Sequence, residues 1–470
     1  MPALPHPDHD VQHALLRAFW LAARGDEAAL ARVQFRGDGA LPSVFETTAF
    51  AAASVAATGL ALDGLCRAQG RAATSGPSVQ VDRRLASLWF STSVRPQGWT
   101  LPPAWDAVAG DYRCADGWIR LHTNAPHHRR AALAVLQVDG DRDAVARAVA
   151  TWAADALEAA MVAQGGCAAV MRSWAQWQLH PQGQAVLAEP LLHWQDGTPS
   201  APATWAATPA QPLQGLRVLD LTRVLAGPVA TRLLAGLGAE VLRIDPPGWD
   251  EPSVAPDMTV GKRCARLDLR NPTDRARFEA LLQGADVLVH GYRSDALEAL
   301  GLGAQRRAPL RPGLVDVSLD AYGFSGPWAA RRGFDSLVQM SMGIADAGQR
   351  LTQADKPVPL PVQALDHATG YLMATAALRA LEQRWRHGHG ARVRASLART
   401  GALLMTAPRD PAAPPAPPVK ESPQEDWAPE VEPTAWGPAR RLRWPLTVAG
   451  VQPHWQHPAG PLGSTEATWR

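Results

Sequence analysis

Cysteine is scarce in this 470-residue chain. The four present, Cys66, Cys114, Cys167 and Cys264, lie far apart with no C-x-x-C pair. That excludes a zinc ribbon or a disulfide framework and reads as reduced, packed thiols. A surplus of one charge is also lacking. Lys and Arg total 46 against 44 Asp and Glu, a net charge of +2, and the basic residues, mostly arginine, are scattered. No electrostatic case exists for a nucleic acid or an anionic membrane as partner. The first residues, "MPALPHPDHDVQHALLRAFW", show no basic region ahead of an apolar core, so no signal peptide is expected. The longest apolar run, "AFAAASVAATGLALDGL", is interrupted by Ser, Thr, Gly and Asp, and is expected to be too weak and too short to span a bilayer. Histidines in "HPDHDVQH" and "HGHG" come without a ligand set at fixed spacing, and no metal site is expected. A G-x-G-x-x-G turn is missing too, which excludes the usual dinucleotide site. These absences leave the expectation of a soluble, cytoplasmic globular protein with two or three domains.

What is there is clearest in the middle of the chain. "LRVLDLT" (216–222), "EVLRID" (240–245), "DVLVHGY" (286–292) and "GLVDVSLDAYG" (313–323) are short strand-like runs. Helical stretches such as "AGPVATRLLAGLGA" and "NPTDRARFEALLQGA" separate them. Strands alternating with helices mean βαβ units and a parallel sheet covered on both faces, with its site at the carboxyl ends of the strands. The turn "TRVLAGPVA" opens the first of these helices, and Gly227-Pro228 suit a helix start. Ahead of this domain, "DYRCADGWIRLHT" (111–123) reads as a hairpin turning at Asp116-Gly117. After residue 405, "APRDPAAPPAPPVKESPQEDWAPEVEP" is Pro-rich and is expected to run extended, as a strap to a short terminal segment.

"PVQALDHATG" (361–370) sets a charged Asp366 among apolar residues where a helix begins. An acid there either caps the helix, accepting its unpaired N–H groups and complementing its dipole, or serves as a reactive carboxylate. A partial internal repeat bears on this choice. "VFETTAFAAASVAATGLAL" (44–62) resembles "ALDHATGYLMATAALRAL" (364–381), and "VQVDRRLASL" (79–88) resembles "ARVRASLART" (391–400). Aligned so, Glu46 stands opposite Asp366.

Together, "LQGLRVLDLTRVLAGPVATRLLAGLGAEVLRIDPPGWDEP", "GKRCARLDLRNP", "ADVLVHGYRSDALEALGLG" and "SLDAYGFSGPWAARRGFDSLVQMSMG" resemble the family III CoA-transferases, of the formyl-CoA and carnitine CoA-transferase type. Alpha-methylacyl-CoA racemases share that fold. The resemblance covers about residues 213–405. "GDYRCADGWIRLHT" and "WAQWQLHPQGQAV" are similar to later parts of the same family, and "HPAGPLGSTEATW" to its C-terminus. The implied fold is α/β: a large domain with a Rossmann-like parallel sheet, and a smaller α+β domain. The implied organisation has a partial repeat of the nucleophile-helix segment in residues 1–95 and a small-domain-like segment in 96–200. A Rossmann-like CoA-binding and catalytic domain follows in 213–405, then a Pro-rich strap and tail in 406–470. This order is that of a rearranged internal duplication, in a homodimer or a fused pseudo-dimer.

The implied activity moves CoA from an acyl-CoA to a small carboxylic acid, with no permanently bound cofactor. Asp366 matches the nucleophile position, a helix start ending "D-x-x-x-G". Asp335 matches a nearby acid, the alternative being a surface ion pair with Arg331 or Arg332. Arg332 and the pair Lys262-Arg263 match basic CoA contacts. Arg223, Val224 and Leu225 fill the loop after the first strand, and Tyr292 and Arg293 match an aromatic and basic pair at the adenine end. Helix-start N–H groups are expected to stabilise oxyanions. Phe334 stands where racemases tend to show histidine, which favours transfer. Departures are "RIDPPG", which removes a likely adenine contact, and "HGYR" in place of "ENFR". No glycine-rich loop over the nucleophile is found, which implies a different closure or a weakened activity. The alternatives are a racemase or isomerase using Asp366 as a base, and a catalytically weak CoA-binding protein. One competent site per chain is expected, at Asp366.

Overall fold

The structure, a computed structural model, describes residues 7–71, 76–293, 296–408, 416–422 and 424–470. His6 of the "HPDHDVQH" stretch, the start of "SDALEALGL" and much of the Pro-rich run lie outside the described residues.

Seven strands form the main sheet, in the spatial order Lys262–Arg266, Glu240–Asp245, Arg217–Leu221, Val287–His290, Val315–Asp320, His389–Ser396 and His193–Pro199. The first six are parallel; the last joins antiparallel at the edge. Val218, Val287 and Val315 sit side by side in register, so β-branched residues fill the buried centre. Chain order reverses between Arg217–Leu221 and Val287–His290, which opens a crevice beyond their carboxyl ends. The fold is thus the expected α/β arrangement. Because His193–Pro199 lies in the large sheet, the segment 96–200 divides. Its earlier part forms a separate α+β unit, with a three-stranded antiparallel sheet (Gly110–Arg113, Trp118–Leu121, Ala168–Val170) and its own apolar core from Val108 to Val170.

The greasy helix Thr47–Ala68 is long and apolar enough to cross a membrane by composition, yet 94% of that window is buried. It packs against the helix Ala364–His387, where Thr58 Oγ1 lies 3.0 Å from Thr375 Oγ1. The alanines of both helices let the two backbones approach closely. On its other side Ala364–His387 meets the helix Ala226–Gly236. A Cβ on Gly370 would fall 2.4 Å from the Ala226 carbonyl oxygen, so only glycine admits this contact.

The C-terminal region is more than a strap. Trp427–Thr434 and Gly437–Leu442 form a hairpin that pairs with Val94–Pro96, and Leu446–Val448 pairs with Val79–Asp82. The four cysteines are all buried and none is bonded to another.

Candidate active site

Asp366 is the third residue of its helix. The helix's own N-cap residue, Gln363, supplies no side-chain cap. Asp335 does so from a distance: its Oδ2 accepts the backbone N–H of Asp366 at 2.9 Å, and Leu365 N–H donates to it as well. Asp335 Oδ1 accepts from Gln339 Nε2, one helical turn on, and Gln339 Oε1 in turn accepts Leu360 N–H at 2.7 Å. Asp335, 1% exposed, is therefore a buried cap and makes no surface ion pair. Arg331 pairs instead with Glu158 at 3.1 Å. Since Asp335 occupies the helix-start N–H groups of Leu365 and Asp366, those groups are not open to an oxyanion, contrary to the sequence-based expectation.

The capping question is settled by this division of labour. Asp335 caps, and the carboxyl of Asp366, 8% exposed, accepts no hydrogen bond among the described residues. Burial first, and the neighbouring Asp335 second, hold the Asp366 carboxyl well above the usual carboxylate range. Asp335 is raised by burial as well, against the opposing hydrogen bonds from Gln339 and the backbone. The two carboxyls titrate as a pair.

Two cavities meet at Asp366. One, of about 330 Å³, lies in the crevice at the strand ends, with Arg223, Val224, Tyr292, Arg293 and Arg332 in its walls. The Arg223 guanidinium is sandwiched, 4.6 Å from the Trp249 ring centroid and 5.1 Å from that of Tyr292. It donates to the Tyr292 hydroxyl at 3.3 Å and meets no carboxylate among the described residues. Arg332, exposed at the rim, likewise has none. Trp249, from the "PPGWDEP" turn, thus brings an aromatic ring to the place where the sequence suggests a lost contact.

The second cavity, of about 450 Å³, is mostly apolar. The α+β unit roofs it with Pro102, Pro103, Trp105 and His122; Val224, Leu225 and Val254 of the large domain face them. Where the sequence shows no glycine-rich loop, residues 102–106, His122, Asn124 and Ala125 line the cavity that reaches Asp366. His122 stacks flat on Phe334, with ring centroids 3.7 Å apart. Burial lowers its pKa to about 3, so it stays neutral. Val224 holds a left-handed backbone (φ 64°), a strained state for a β-branched residue. Its N–H is anchored to Glu251 Oε1 at 2.8 Å. Strain of this kind persists only where the surroundings over-determine it.

Lys262 and Arg263 stand elsewhere, and their expected role at the CoA phosphates is corrected. Lys262 Nζ is fully buried, bonded to Asp220 at 3.0 Å, Thr231 Oγ1 at 2.6 Å and the Pro228 carbonyl at 3.1 Å. Arg263 pairs with Glu240 at 3.4 Å and donates to the Thr468 carbonyl. Neither lines a cavity at Asp366. The structure brings together Asp366, Asp335, Arg223, Val224, Leu225, Tyr292, Arg293 and Arg332. Sequence reading missed His122, His127, His128, Trp105, Trp249 and Gln339. The four-residue spacing of Asp335 and Gln339, on one helix face, was the available signal for the last.

Known proteins similar to this chain are CoA-transferases by name. The chain is 35% identical over 196 residues to the "Probable fatty acyl-CoA transferase Rv3272" of Mycobacterium tuberculosis, covering 39% of this chain and 49% of that protein. It is 35% identical over 214 residues to the "Acetyl-coenzyme A transferase nodX" of Hypoxylon pulicicidum, covering 44% of this chain and 35% of that one. An "Acyl-CoA transferase" of Gibberella moniliformis is 27% identical over 433 residues, 80% of this chain and 75% of its own. The chain thus spans about half or less of the first two relatives. The family model for CoA-transferase family III matches residues 213–457, more than half of the chain. This chain belongs to CoA-transferase family III.

Proposed function

We propose that the protein transfers CoA from an acyl-CoA thioester to a carboxylic acid, with Asp366 as nucleophile. The carrying observation is the position of Asp366, whose carboxyl, without a hydrogen-bond acceptor role, stands where an arginine-walled cavity meets an apolar one. CoA is a polyanion, and Arg223 and Arg332 offer guanidinium groups that no carboxylate among the described residues neutralises. The thioester carbon then lies at the junction, with CoA on one side and the acyl group on the other.

The ionised Asp366 oxygen attacks the thioester carbonyl; the C–S bond breaks, leaving a mixed anhydride and CoA thiolate. The thiolate attacks the aspartyl carbonyl and expels the acyl carboxylate, giving an aspartyl-CoA thioester. An acceptor carboxylate attacks that thioester, and the same steps in reverse return Asp366 and the new acyl-CoA. Near-complete burial of Asp366 keeps water from the anhydride. Its raised pKa means that the attacking form increases with pH. Arg293 and Tyr292 extend the CoA side, while Val224 borders both cavities and Leu225 the apolar one. The acceptor and acyl acids share the apolar side in turn.

Mass spectrometry after incubation with acyl-CoAs tests this: a CoA adduct on Asp366 is expected. Solvent deuterium entering the acyl α-position without any CoA transfer would replace the reading by an isomerase.

A further inference from the structure

The two cavities at Asp366 differ in charge. Four arginines wall the first, Arg223, Arg293, Arg331 and Arg332. Among the described residues, the second has neither arginine nor lysine in its lining. Its surface comes chiefly from Pro102, Pro103, Trp105, Leu225, Val254 and Phe334. Trp105 keeps 38% of its surface exposed, so a large apolar ring faces this space uncovered. At about 450 Å³ the cavity lies within the rough 300–1,000 Å³ range of small-molecule sites.

Apart from Asp366, the carboxylates in this lining are already satisfied. Asp106 accepts the Thr123 hydroxyl at 2.6 Å and lies 3.4 Å from Arg129. Asp250 pairs with Arg266 at 2.7 Å. Glu251 accepts from Val224 N–H, Trp249 Nε1 and Arg243, at 2.7–2.8 Å. Asp335 caps the nucleophile helix. Arg120, 4.7 Å from the Trp105 ring centroid and held by Asp111 at 2.7 Å, is not part of the lining, though its charge acts on Asp335. An acyl group carrying a second carboxylate would lose its water here and find no cation in the described lining to replace it, a costly burial.

We propose that the acyl group and the acceptor are uncharged beyond the reacting carboxyl: a short- to medium-chain aliphatic or an aromatic acyl group, seated against Trp105 and Phe334. This rests on the transferase reading for the placement of CoA on the arginine side.

Calorimetry on the full chain with acetyl-, butyryl-, hexanoyl- and succinyl-CoA tests it. Affinity should rise from acetyl to hexanoyl by about fourfold per methylene, equivalent to ~0.8 kcal/mol. Succinyl-CoA matches butyryl-CoA in length but adds a carboxylate, and should bind about tenfold more weakly or worse. Equal or tighter binding of succinyl-CoA overturns the proposal. Ala104→Arg, at an exposed position of the same lining, should narrow the gap between butyryl- and succinyl-CoA. An unchanged ratio would show that the acyl group sits elsewhere, and overturns it too. Transfer to a labelled acid is read separately. Tight butyryl-CoA binding with no transfer would sink the transferase reading and leave the acyl class standing. Transfer that prefers succinyl-CoA would do the reverse.

Discussion

Two long helices cross at the centre of the molecule, Thr47–Ala68 and Ala364–His387, and they meet at the pair Thr58 and Thr375. Both are rich in alanine and almost wholly buried. Counted from that contact, the position of Asp366 in the second helix corresponds to Ala49 in the first, since the paired threonines are 317 residues apart. Glu46, matched to Asp366 by sequence, is instead the residue before its helix and makes no side-chain cap there. The contrast shows what a buried carboxyl demands of its surroundings. Around Asp366 a second acid takes over the capping, a glutamine fixes that acid, and two cavities open on the side chain. Where Ala49 stands, the protein simply packs.

The contrast breaks most sharply at Asp366 itself. Asp366→Ala should lower transfer on the order of 10⁴-fold or more in a steady-state assay, while CoA affinity and the fold persist. Asp335→Asn comes next, with a loss of about a hundredfold in the same assay; its helix cap is weakened by about 0.5–2 kcal/mol. Removing the like charge should also lower the Asp366 pKa, moving the acid limb of the pH–activity profile to lower pH. Arg223→Ala or Arg332→Ala should weaken CoA binding roughly tenfold, less at high salt, by calorimetry. Lys262→Ala should instead act on stability, by about 3–5 kcal/mol, because it strands the buried Asp220. Glu46→Gln should leave turnover unchanged, with CoA titrating at one equivalent per chain.

The same pair of acids predicts a pH dependence of stability. Both carboxyls are raised in the folded state, so the fold binds more protons than the unfolded chain. Their contribution is present at low pH and is lost as pH rises through their folded titration. Asp366→Asn should flatten that slope and melt higher than wild type at pH 8, the gain shrinking as pH falls and vanishing below about pH 4, the unfolded carboxylate range, by thermal denaturation.

Much of this was legible in the chain. The four strand-like runs from 216 to 323 gave the parallel sheet because alternating strand and helix patterns admit few other folds. Asp366 stood out since a charge inside an apolar helix start needs a reason. Lys262 and Arg263 misled: a basic pair looks alike whether it meets a ligand or a buried Asp220 and Glu240, and only tertiary packing tells them apart. The roof from 102 to 125 was hidden for a related reason. Prolines and a tryptophan carry no motif, and their role depends on where the α+β unit settles.

Leu446–Val448 completes a sheet whose other members, Val33–Arg36 and Val79–Asp82, were made long before it. On the ribosome, a chain growing at about 5–20 residues per second leaves that early sheet edge unpaired until more than 360 further residues have been added. The early helix Thr47–Ala68 waits equally for Ala364–His387 to cover it. An apolar helix and an open strand edge held that long are ready templates for wrong pairing. The synthesis of residues 364–448 therefore decides whether the early helix and strand find their partners in the same chain, and a nascent chain stalled before residue 446 should be a preferred client of folding helpers.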